Sequence, residues 1–219
     1  MDVIIIGAGG HGRVVLDILR AAGGPKPIGF IDADPQLAGK TIGGLCVLGQ
    51  ANLLPKLRTQ KVKAAIVAVG DNRARRSYAK KLLEQGFELI NAIHPSSVVS
   101  PTARLGKNVV VAAGAVIGTD CLIADDVIIN TSAVIDHECE IGQAVHICPA
   151  AALAGRVRVG EEAFIGLGCR VIQCLTIGSQ AVVGAGAVVI ADVPEGATVV
   201  GVPARVIKVQ SDNLAHAGA

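Results

Sequence analysis

Aromatic side chains are scarce in this sequence, which contains no tryptophan, one tyrosine and three phenylalanines among 219 residues. The formal net charge is also small, at +2. Proteins that bind nucleic acid present a concentrated basic surface, and those that bind single strands add aromatic side chains on which bases stack. The small net charge and the few aromatic residues support neither feature, so we predict that nucleic acid is not a partner.

Long apolar runs are absent as well, although 51% of the residues are hydrophobic. No run approaches the ~20 apolar residues that span a bilayer. The short run Val3–Ile6 ends in glycine and does not form the pattern of a signal peptide. We therefore expect a cytoplasmic protein without a membrane partner.

The six cysteines include no C-x-x-C pair. Three of them, Cys121, Cys139 and Cys169, occupy an inward position of the repeat described below. We interpret all six as buried, reduced thiols and not as disulfide partners or metal ligands. A zinc-dependent β-helix hydratase of the gamma carbonic anhydrase type would need a His-x4-His pair and a third histidine. No such pair exists here, so no metal is predicted.

A strict six-residue repeat fills the middle of the chain. Aliphatic side chains recur at every sixth position without an insertion, at Ile93, Val99, Leu105, Val111, Ile117, Ile123, Ile129, Ile135, Ile141, Ile147, Leu153, Val159, Ile165, Val171, Ile177, Val183 and Val189. Small residues two positions earlier make room at the bends, and we expect the glycines that often follow the aliphatic, such as Gly106 and Gly118, to supply backbone freedom there. The pattern predicts a left-handed parallel β-helix of about five and a half coils.

The residues before the repeat follow a different pattern. The β-branched run Val3–Ile6, a glycine-rich turn over residues 7–12 and an apolar periodic segment over 14–22 favour strand, turn and helix. Further strands are predicted at 27–31, 64–69 and 87–90, and helices at 50–58 and 73–85. Together they form a βαβαβαβ unit with a parallel sheet, an α/β half-Rossmann domain.

The predicted domains are therefore a nucleotide-sugar-binding Rossmann-like domain at 1–92, a left-handed β-helix at 93–191 and a C-terminal cap and tail at 192–219. We expect the turns after residue 191 to fold back over the open end of the β-helix, which otherwise exposes a sheet edge. The last eleven residues, Val209–Ala219, are small and polar and are predicted to be disordered.

The glycine turn predicts phosphate or nucleotide binding, because the free N–H groups and the positive end of the following helix attract an anion. Asp32 lies twenty residues after Gly12, where a carboxylate can accept hydrogen bonds from a ribose or sugar hydroxyl. An NAD-dependent sugar oxidoreductase is one alternative. Against it, the domain lacks a second half for nicotinamide, and Tyr78 precedes Lys81 by one residue too few for a Tyr-x-x-x-Lys pair.

Asp136-His137-Glu138 is a cluster of titratable side chains on coils whose other outward residues are mostly small or weakly polar. A histidine is the natural general base near neutral pH, and a neighbouring carboxylate orients its ring. Gly155 lies one coil on, ~4.8 Å away, so an open backbone N–H adjoins the histidine as acyl transfer requires. His146 is half a coil away, so the two histidines cannot meet within one chain, although they can face each other across a subunit boundary. A trimeric scaffold without catalysis is the other alternative, although it gives no reason for the cluster.

Over residues 1 to about 208 the chain resembles the sugar acyltransferases typified by UDP-bacillosamine-type and perosamine N-acetyltransferases and sialic acid O-acetyltransferases. The resemblance rests on the segments GAGGHG, FIDAD, VAVGDN, IHP, INTSAVIDHECEIG, VHICPAAALAG, FIGLGCRV and GVPAR. It implies a homotrimer that holds acetyl-CoA, without a metal, in the cleft between neighbouring β-helices. The nucleotide-linked amino sugar is then held by the N-terminal domain.

The resemblance also implies roles for single residues. His137 corresponds to the catalytic base, Glu138 to the acid that raises its basicity and Gly155 to the amide that faces the thioester carbonyl. The implied acetyl-CoA contacts are His146, Leu167 and Ala185. The implied nucleotide-sugar contacts are Gly9, Gly10, His11, Asp32 and Gly70. Two positions depart from the family pattern, since some relatives have a second acid at Ala33 and a glycine at Ala185.

The reaction implied by the resemblance is direct transfer of an acetyl group to the amine of a UDP-4-amino-4,6-dideoxy sugar or of GDP-perosamine, for surface glycan biosynthesis. O-acetylation of sialic acid or of another sugar hydroxyl remains an alternative, since His137 can serve as base for either acceptor. The residues leave the nucleotide, the sugar and the acyl chain length open.

Overall fold

A computed structural model of the protein describes residues 1–209 and contains an α/β domain followed by a long β-helix. The tail that we predicted to be disordered lies outside the described residues, except for Val209, which ends the last strand. In the described part of the chain, no helix is long and apolar enough to cross a bilayer.

The N-terminal domain is built on a six-stranded sheet with the order β3-β4-β2-β1-β5-β6. Its elements are β1 (Asp2–Ile6), α1 (Gly10–Ala22), β2 (Lys26–Ile31), a 3-10 turn (Pro35–Leu37), β3 (Thr41–Ile42), β4 (Leu45–Gly49), a 3-10 turn (Ala51–Leu53), α2 (Leu54–Thr59), β5 (Ala64–Val67), α3 (Asn72–Glu84) and β6 (Glu88–Leu89). The predicted parallel sheet is confirmed, because every pair except β3–β4 is parallel.

The β3–β4 hairpin was missing from the sequence-based prediction. Gly43 and Gly44 turn the chain with φ values of 56° and 75°. Two adjacent glycines between short apolar runs are a hairpin signal, since both central residues of the tight turn need positive φ. The hairpin extends the sheet beyond β2 and forms its edge.

Strands of two residues form three parallel β-sheets, which are the three faces of a triangular prism. Face 1 contains β7 (Ala92–Ile93), β10 (Val110–Val111), β13 (Ile128–Ile129), β16 (His146–Ile147), β19 (Phe164–Ile165) and β22 (Val182–Val183). Face 2 contains β8 (Val98–Val99), β11 (Val116–Ile117), β14 (Val134–Ile135), β17 (Ala152–Leu153), β20 (Arg170–Val171) and β23 (Val188–Val189). Face 3 contains β9 (Arg104–Leu105), β12 (Leu122–Ile123), β15 (Glu140–Ile141), β18 (Arg158–Val159) and β21 (Thr176–Ile177).

The predicted left-handed β-helix is confirmed, and each strand pairs in parallel with the strand one coil later, as Ile117 does with Ile135. The second residue of nearly every strand points inward and joins one continuous apolar core. Ile93 is 38% exposed because it lies in the first coil, at the open end of the prism. At the other end, β24 (Ala197–Val200) continues face 1 and β25 (Arg205–Val209) pairs with it in antiparallel fashion.

The glycines that follow the inward aliphatics do not supply positive φ, so that expectation was wrong. Their role is close stacking: a Cβ on Gly118 would lie 2.8 Å from the peptide between Asp136 and His137 in the next coil. Left-handed backbone falls two residues later, mostly on residues other than glycine, as at Glu138 and Arg156 with φ values of 56° and 59°. Coil spacing therefore selects glycine at these sites.

The interpretation of all six cysteines as buried thiols was wrong for two of them. Cys121, Cys139, Cys148 and Cys169 are free and buried, whereas Cys46 and Cys174 are free and exposed. Cys46 lies on the hairpin at the edge of the sheet. Cys174 occupies a corner position with φ 63°, from which its side chain leaves the prism.

The N-terminal domain packs against face 1. Val15 and Leu19 of α1 share an apolar cluster with Val110 and Ile128 of the β-helix. Polar contacts join the same surfaces, and the most buried is made by Arg75 of α3, which is 0% exposed. The N-terminal domain thereby covers the first coils of face 1. This packing brings the glycine turn close to the outward side chains of the face.

Candidate active site

His137 lies at the corner between faces 2 and 3, which we call the 137 corner. This corner is formed in successive coils by Pro101, Thr119, His137, Gly155 and Gln173. His137 is the first residue of its turn, and its N–H donates to Asp136 Oδ1 at 2.8 Å. The side chain of His137 is 45% exposed, so a substrate in solvent can reach it.

Glu138 fixes the orientation and tautomer of the His137 imidazole. His137 Nδ1 lies 2.9 Å from Glu138 Oε2. A carboxylate can only accept, so Nδ1 carries the proton and Nε2 keeps a free lone pair. The hydrogen bond with His137, followed by one with Arg156, lowers the pKa of Glu138 below its ordinary value. The pair therefore presents an ionised carboxylate behind the imidazole, on the side away from Nε2.

The imidazole of His137 occupies the space that a side chain at Gly155 would fill. A Cβ on Gly155 would collide with Nε2 and would lie 2.5 Å from Cε1 and 3.0 Å from Cδ2. Within residues 1–209, the Gly155 N–H meets no hydrogen-bond acceptor. A free amide beside an unprotonated Nε2 is the pairing that can receive a proton and stabilise an oxyanion.

His146 lies on face 1, half a coil from His137 as predicted, beneath the N-terminal domain. Its Nε2 is 3.1 Å from the side-chain nitrogen of Asn130, and its ring centroid is 5.3 Å from that of Phe164. The ring of His11 in α1 is 6.4 Å away, centroid to centroid. The structure thus brings together His11, an implied sugar contact, and His146, an implied acetyl-CoA contact, within one chain.

Both histidines of this pair are neutral near pH 7. Burial is the largest cause that lowers the pKa of His11 to about 4, and repulsion from His146, once it is protonated, and from Arg75 adds to it. Burial also lowers the pKa of His146 to about 4, and Arg75 adds repulsion. Among the described residues, His11 Nε2 and His146 Nδ1 are buried without a hydrogen-bond partner of good geometry, although the Gly70 backbone lies close enough to His146 to raise its pKa in part. The pair therefore offers two unsatisfied polar atoms to a ligand at this junction.

The other two implied acetyl-CoA contacts lie on a different edge of the prism. Leu167 and Ala185 are one coil apart on the corner between faces 1 and 2, which we call the 167 corner. Leu167 is 55% exposed. Face 2 separates this corner from the 137 corner, so a single chain does not bring Leu167 and Ala185 to His137.

The glycine turn forms the N-terminus of α1. Gly9 is the N-cap residue and Gly10 begins the helix, and both are exposed. Gly7 has φ +102°, and a Cβ on Gly12 would collide with the Gly7 carbonyl oxygen. Only glycine fits these two positions, which leave the first amides of α1 open to an anion.

Asp32 ties the end of β2 to the glycine turn. Its Oδ2 accepts a hydrogen bond from Ala8 N–H at 2.7 Å, and its Oδ1 accepts one from Asp34 N–H at 2.9 Å. Each carboxylate oxygen can accept a second bond, so a ribose or sugar hydroxyl can still bind. Asp32 is therefore a structural tie as well as a candidate ligand contact.

A cavity of about 220 Å³ opens beside Asp32, at the carboxyl ends of β1, β2 and β5. Ligands of open parallel sheets bind at such an edge, where the chain connections leave in opposite directions. The cavity is lined by Ile6, Gly7, Ile31, Asp32, Ala33, Ala51, Val69 and Tyr78. The exposed Gly70 follows β5 at the same edge.

Sequence reasoning missed several residues of these sites. Arg156 lies one coil after Glu138, an offset that the repeat makes readable, and it donates from Nε to Glu138 Oε2 at 3.0 Å. Tyr78 was considered only for a possible pair with Lys81, but it lines the cavity. The burial of Arg75 had no sequence signal, because nothing distinguishes it from the neighbouring arginines of α3, Arg73 and Arg76.

One open groove does not coincide with the predicted residues. This groove of about 720 Å³ runs along face 3 past the outward side chains of Arg104, Glu140 and Arg158, and none of the predicted site residues lines it. In residues 1–209, no three His, Cys, Asp or Glu side chains converge as metal ligands.

Comparison with known proteins adds independent information. The family profile described as PglD N-terminal domain matches residues 2–82. A perosamine N-acetyltransferase variant from Caulobacter crescentus, solved in complex with CoA and GDP-perosamine, is 48% identical, with 94% of this chain and 96% of that chain covered and a TM-score of 0.91. The acetyltransferase domain of PglB from Neisseria gonorrhoeae, solved with acetyl coenzyme A, is 40% identical, with coverages of 94% and 98% and a TM-score of 0.88.

A curated relative is similar over a shorter stretch. The UDP-N-acetylbacillosamine N-acetyltransferase of Bacillus subtilis is 36% identical over 115 residues, which are 51% of this chain and 51% of that protein. The chain thus spans about half the length of this curated relative, whereas it spans nearly all of the two solved structures.

Proposed function

The chain belongs to the sugar acyltransferase family of left-handed β-helix proteins, and from this premise we propose that it transfers an acetyl group from acetyl-CoA to the amine of a nucleotide-linked amino sugar. The acceptor is a UDP-4-amino-4,6-dideoxy sugar or GDP-perosamine. The observation that carries the proposal is the His137 imidazole, held by Glu138 with Nε2 free beside the open amide of Gly155. An acetylated nucleotide sugar is an activated donor, and we assign it to surface glycan biosynthesis.

The proposed mechanism needs no covalent enzyme intermediate. The neutral amine of the sugar attacks the thioester carbonyl carbon while His137 Nε2 takes its proton, and the Gly155 N–H stabilises the oxyanion of the tetrahedral intermediate. Collapse breaks the carbon–sulfur bond. The protonated His137 then returns the proton to the departing thiolate, which leaves as the CoA thiol. Glu138 stabilises the imidazolium between these two proton transfers.

The N-terminal domain is the proposed site of the nucleotide. The open amides of Gly9 and Gly10 suit a diphosphate, and Asp32 beside the cavity suits a ribose hydroxyl. His11 and Gly70 adjoin this site on the side of the β-helix. The solved relative with GDP-perosamine and CoA supports both ligand classes.

We further propose that the active enzyme is a homotrimer. Acetyl-CoA contacts at Leu167 and Ala185 reach His137 only if the 167 corner of one subunit meets the 137 corner of the next. Face 2 lies between the two corners, and its outward side chains are mostly apolar, as at Val116, Val134 and Val188. An apolar face flanked by both halves of a site is suited to burial between identical subunits.

The proposed activity is tested by CoA thiol release from acetyl-CoA against a matched panel of UDP-, GDP- and CMP-linked sugars. Each nucleotide is offered with one amino sugar and with the corresponding sugar that has a hydroxyl in place of the amine. Release with an amino sugar alone is the expected result. Release with only the hydroxyl sugars or with CMP-sialic acid contradicts N-acetylation and favours O-acetylation.

The shared site is tested by mixing two inactive variants. His137→Ala lacks the base, and Leu167→Trp fills the proposed acetyl-CoA cleft. If each site takes one corner from each of two neighbouring subunits, coexpression in equal amounts restores one site in every mixed trimer, which is about a quarter of all sites. No recovery in mixed oligomers, or full activity in a monomer detected by sedimentation, contradicts the shared site.

A further inference from the structure

Arg156 occupies the same corner position as Glu138, one coil later. Both residues have left-handed backbone, with φ values of 56° for Glu138 and 59° for Arg156. The backbone N–H of Arg156 donates to the carbonyl oxygen of His137 at 2.9 Å. The coil that contains Arg156 therefore supports the backbone of the catalytic pair directly.

The side chain of Arg156 contacts the other member of the pair. Its Nε lies 3.0 Å from Glu138 Oε2, the same oxygen that lies 2.9 Å from His137 Nδ1. One carboxylate oxygen thus accepts from both sides, and Arg156 limits the rotation of the carboxylate that orients the imidazole. Hydrogen bonds to a charged carboxylate are stronger than those between neutral groups, which favours this fixed arrangement.

We propose that Arg156 is a positioning residue for the acyl transfer, which holds Glu138 in place so that His137 Nε2 points at the reacting amine. This proposal rests on the proposed function, because it assigns Arg156 a part in the use of His137 as the base. Arg156 does not touch the reacting atoms and acts through Glu138.

Loss of Arg156 has two separable consequences. The imidazole loses part of its orientation, which lowers kcat because misplaced catalytic groups act slowly. The Glu138 charge also loses its cationic partner, so protonated His137 is stabilised and the acid limb of the pH–rate profile moves to higher pH. The other titratable groups at this corner are Asp136, which accepts the His137 N–H at 2.8 Å, Asp120, which is one coil before Glu138, and Cys174, which is one coil beyond Arg156.

The chain contains a matched control pair on face 3. Arg158 Nε lies 3.3 Å from Glu140 Oε1, and these two residues are also one coil apart. The side chains of Arg158 and Arg156 are similarly exposed, at 68% and 62%. Arg158→Ala therefore removes an equivalent surface ion pair without changing the surroundings of His137.

The experiment compares Arg156→Ala, Arg156→Lys and Arg158→Ala in the full-length enzyme, by kcat and KM from pH 5 to 9. For Arg156→Ala we expect kcat to fall about 10-fold and the acid limb to rise by a few tenths of a pH unit, as expected for a partly screened charge. Arg156→Lys should keep the position of the limb and recover part of kcat, because it retains charge without the guanidinium geometry. Arg158→Ala should match the wild type in both.

A titration of the His137 imidazole by NMR separates this proposal from the proposed function. The expected rise in the midpoint for Arg156→Ala needs no substrate, so it remains measurable if no sugar is acetylated. An unchanged midpoint and unchanged kcat contradict the positioning role. A higher KM with normal kcat also contradicts it, because Arg156 would then contact a substrate.

Discussion

At the scale of single residues, the absence of a side chain at Gly155 matters as much as the presence of the imidazole at His137. The ring of His137 lies where a Cβ of Gly155 would be, with Cε1 only 2.5 Å from that position. Sequence reasoning identified Gly155 through the coil offset and assigned it an amide. That the glycine also makes room for the ring depends on the rotamer of His137, which no repeat pattern specifies.

Gly155→Ala is expected to displace the imidazole and to reduce kcat about 10²-fold, because a shift of about 1 Å at a reacting group has an effect of this size. The free energy of unfolding should change little, since His137 can rotate into solvent. The control is Gly24→Ala, where an added Cβ meets no atom within 4 Å. Steady-state kinetics at saturating acetyl-CoA give the result, and a normal kcat contradicts the packing argument.

Asp32 illustrates a correct position with an incomplete role. Its spacing from Gly12 predicted a ligand contact, whereas both carboxylate oxygens already accept backbone N–H groups, those of Ala8 and Asp34. These bonds depend on the path of the glycine turn beside β2, and the sequence does not specify that path. Asp32 therefore holds the glycine turn in place, and its proposed ligand contact is an additional role.

Asp32→Ala is expected to raise the KM for the nucleotide sugar at least 10-fold, because removing the carboxylate frees the glycine turn and leaves the Ala8 N–H unpaired. The KM for acetyl-CoA should stay the same. Asp34→Ala is the matched control, since Asp34 accepts from Gln36 N–H at 2.8 Å in the same loop and does not touch the turn. Equal KM values for the two variants contradict the role of Asp32.

At the scale of elements, α3 joins the N-terminal domain to the β-helix through Arg75. Its guanidinium donates to the carbonyl oxygens of Val69, Asp126 and Ala144 at 3.0, 2.6 and 2.7 Å. Burial lowers the pKa of Arg75 to about 10, so it remains charged at neutral pH. The contact also fixes the loop that contains Gly70, whose carbonyl oxygen accepts at 3.1 Å.

Arg75→Met is expected to lower the free energy of unfolding by about 3–5 kcal/mol, because the carbonyl groups lose their donors in a buried site. Arg76→Met is the control on the same helix. Arg76 bonds to Glu161 and Glu162 but is 38% exposed, and exposed pairs contribute ~1 kcal/mol or less. Urea unfolding of both variants measures the difference, and equal losses contradict the role of Arg75.

The contact between α1 and face 1 makes stability depend on pH. His11 and His146 have pKa values of about 4 in the folded chain, against an ordinary value of 6.5. The unfolded chain therefore binds more protons than the folded chain between these values, so stability is full above pH 6.5 and falls as the pH drops toward 4. After allowance for partial exposure, the loss by pH 4.5 is ~3 kcal/mol.

The measurement is urea unfolding at pH 7, 5.5 and 4.5 for the wild type and for the double variant His11→Gln/His146→Gln. The variant retains polar side chains and loses both titrations, so the difference between the two curves should shrink as the pH falls. Curves that stay parallel from pH 7 to 4.5 contradict the burial of two neutral histidines.

At the scale of the whole molecule, the repeat made the β-helix predictable because one inward aliphatic per strand is required in every coil. The same regularity identified His137 as an exception and related Gly155 to it. Contacts across the domain junction were unpredictable, since His11 and His146 belong to separate patterns that meet only when α1 packs on face 1. The β3–β4 hairpin was readable from Gly43-Gly44 but was overlooked.

The three faces of the β-helix have different roles. Face 1 holds the N-terminal domain with the proposed nucleotide site, and face 2 separates the two corners that the proposed trimer brings together. Face 3 exposes a charged row that includes the Glu140–Arg158 pair. His137 lies at the corner between faces 2 and 3. The proposed nucleotide site and the proposed trimer both bring a substrate to this residue, which is the proposed base of the acyl transfer.

The measurement that tests the central claim most directly is the kcat of His137→Ala with the preferred nucleotide amino sugar at saturating acetyl-CoA. We predict a fall of about 10²–10⁴-fold, the range for loss of a general base. We also expect an unchanged oligomeric state and unchanged binding of acetyl-CoA. Turnover within a factor of about two of the wild type, in a variant with the same oligomeric state, would contradict the assignment of His137 as the base.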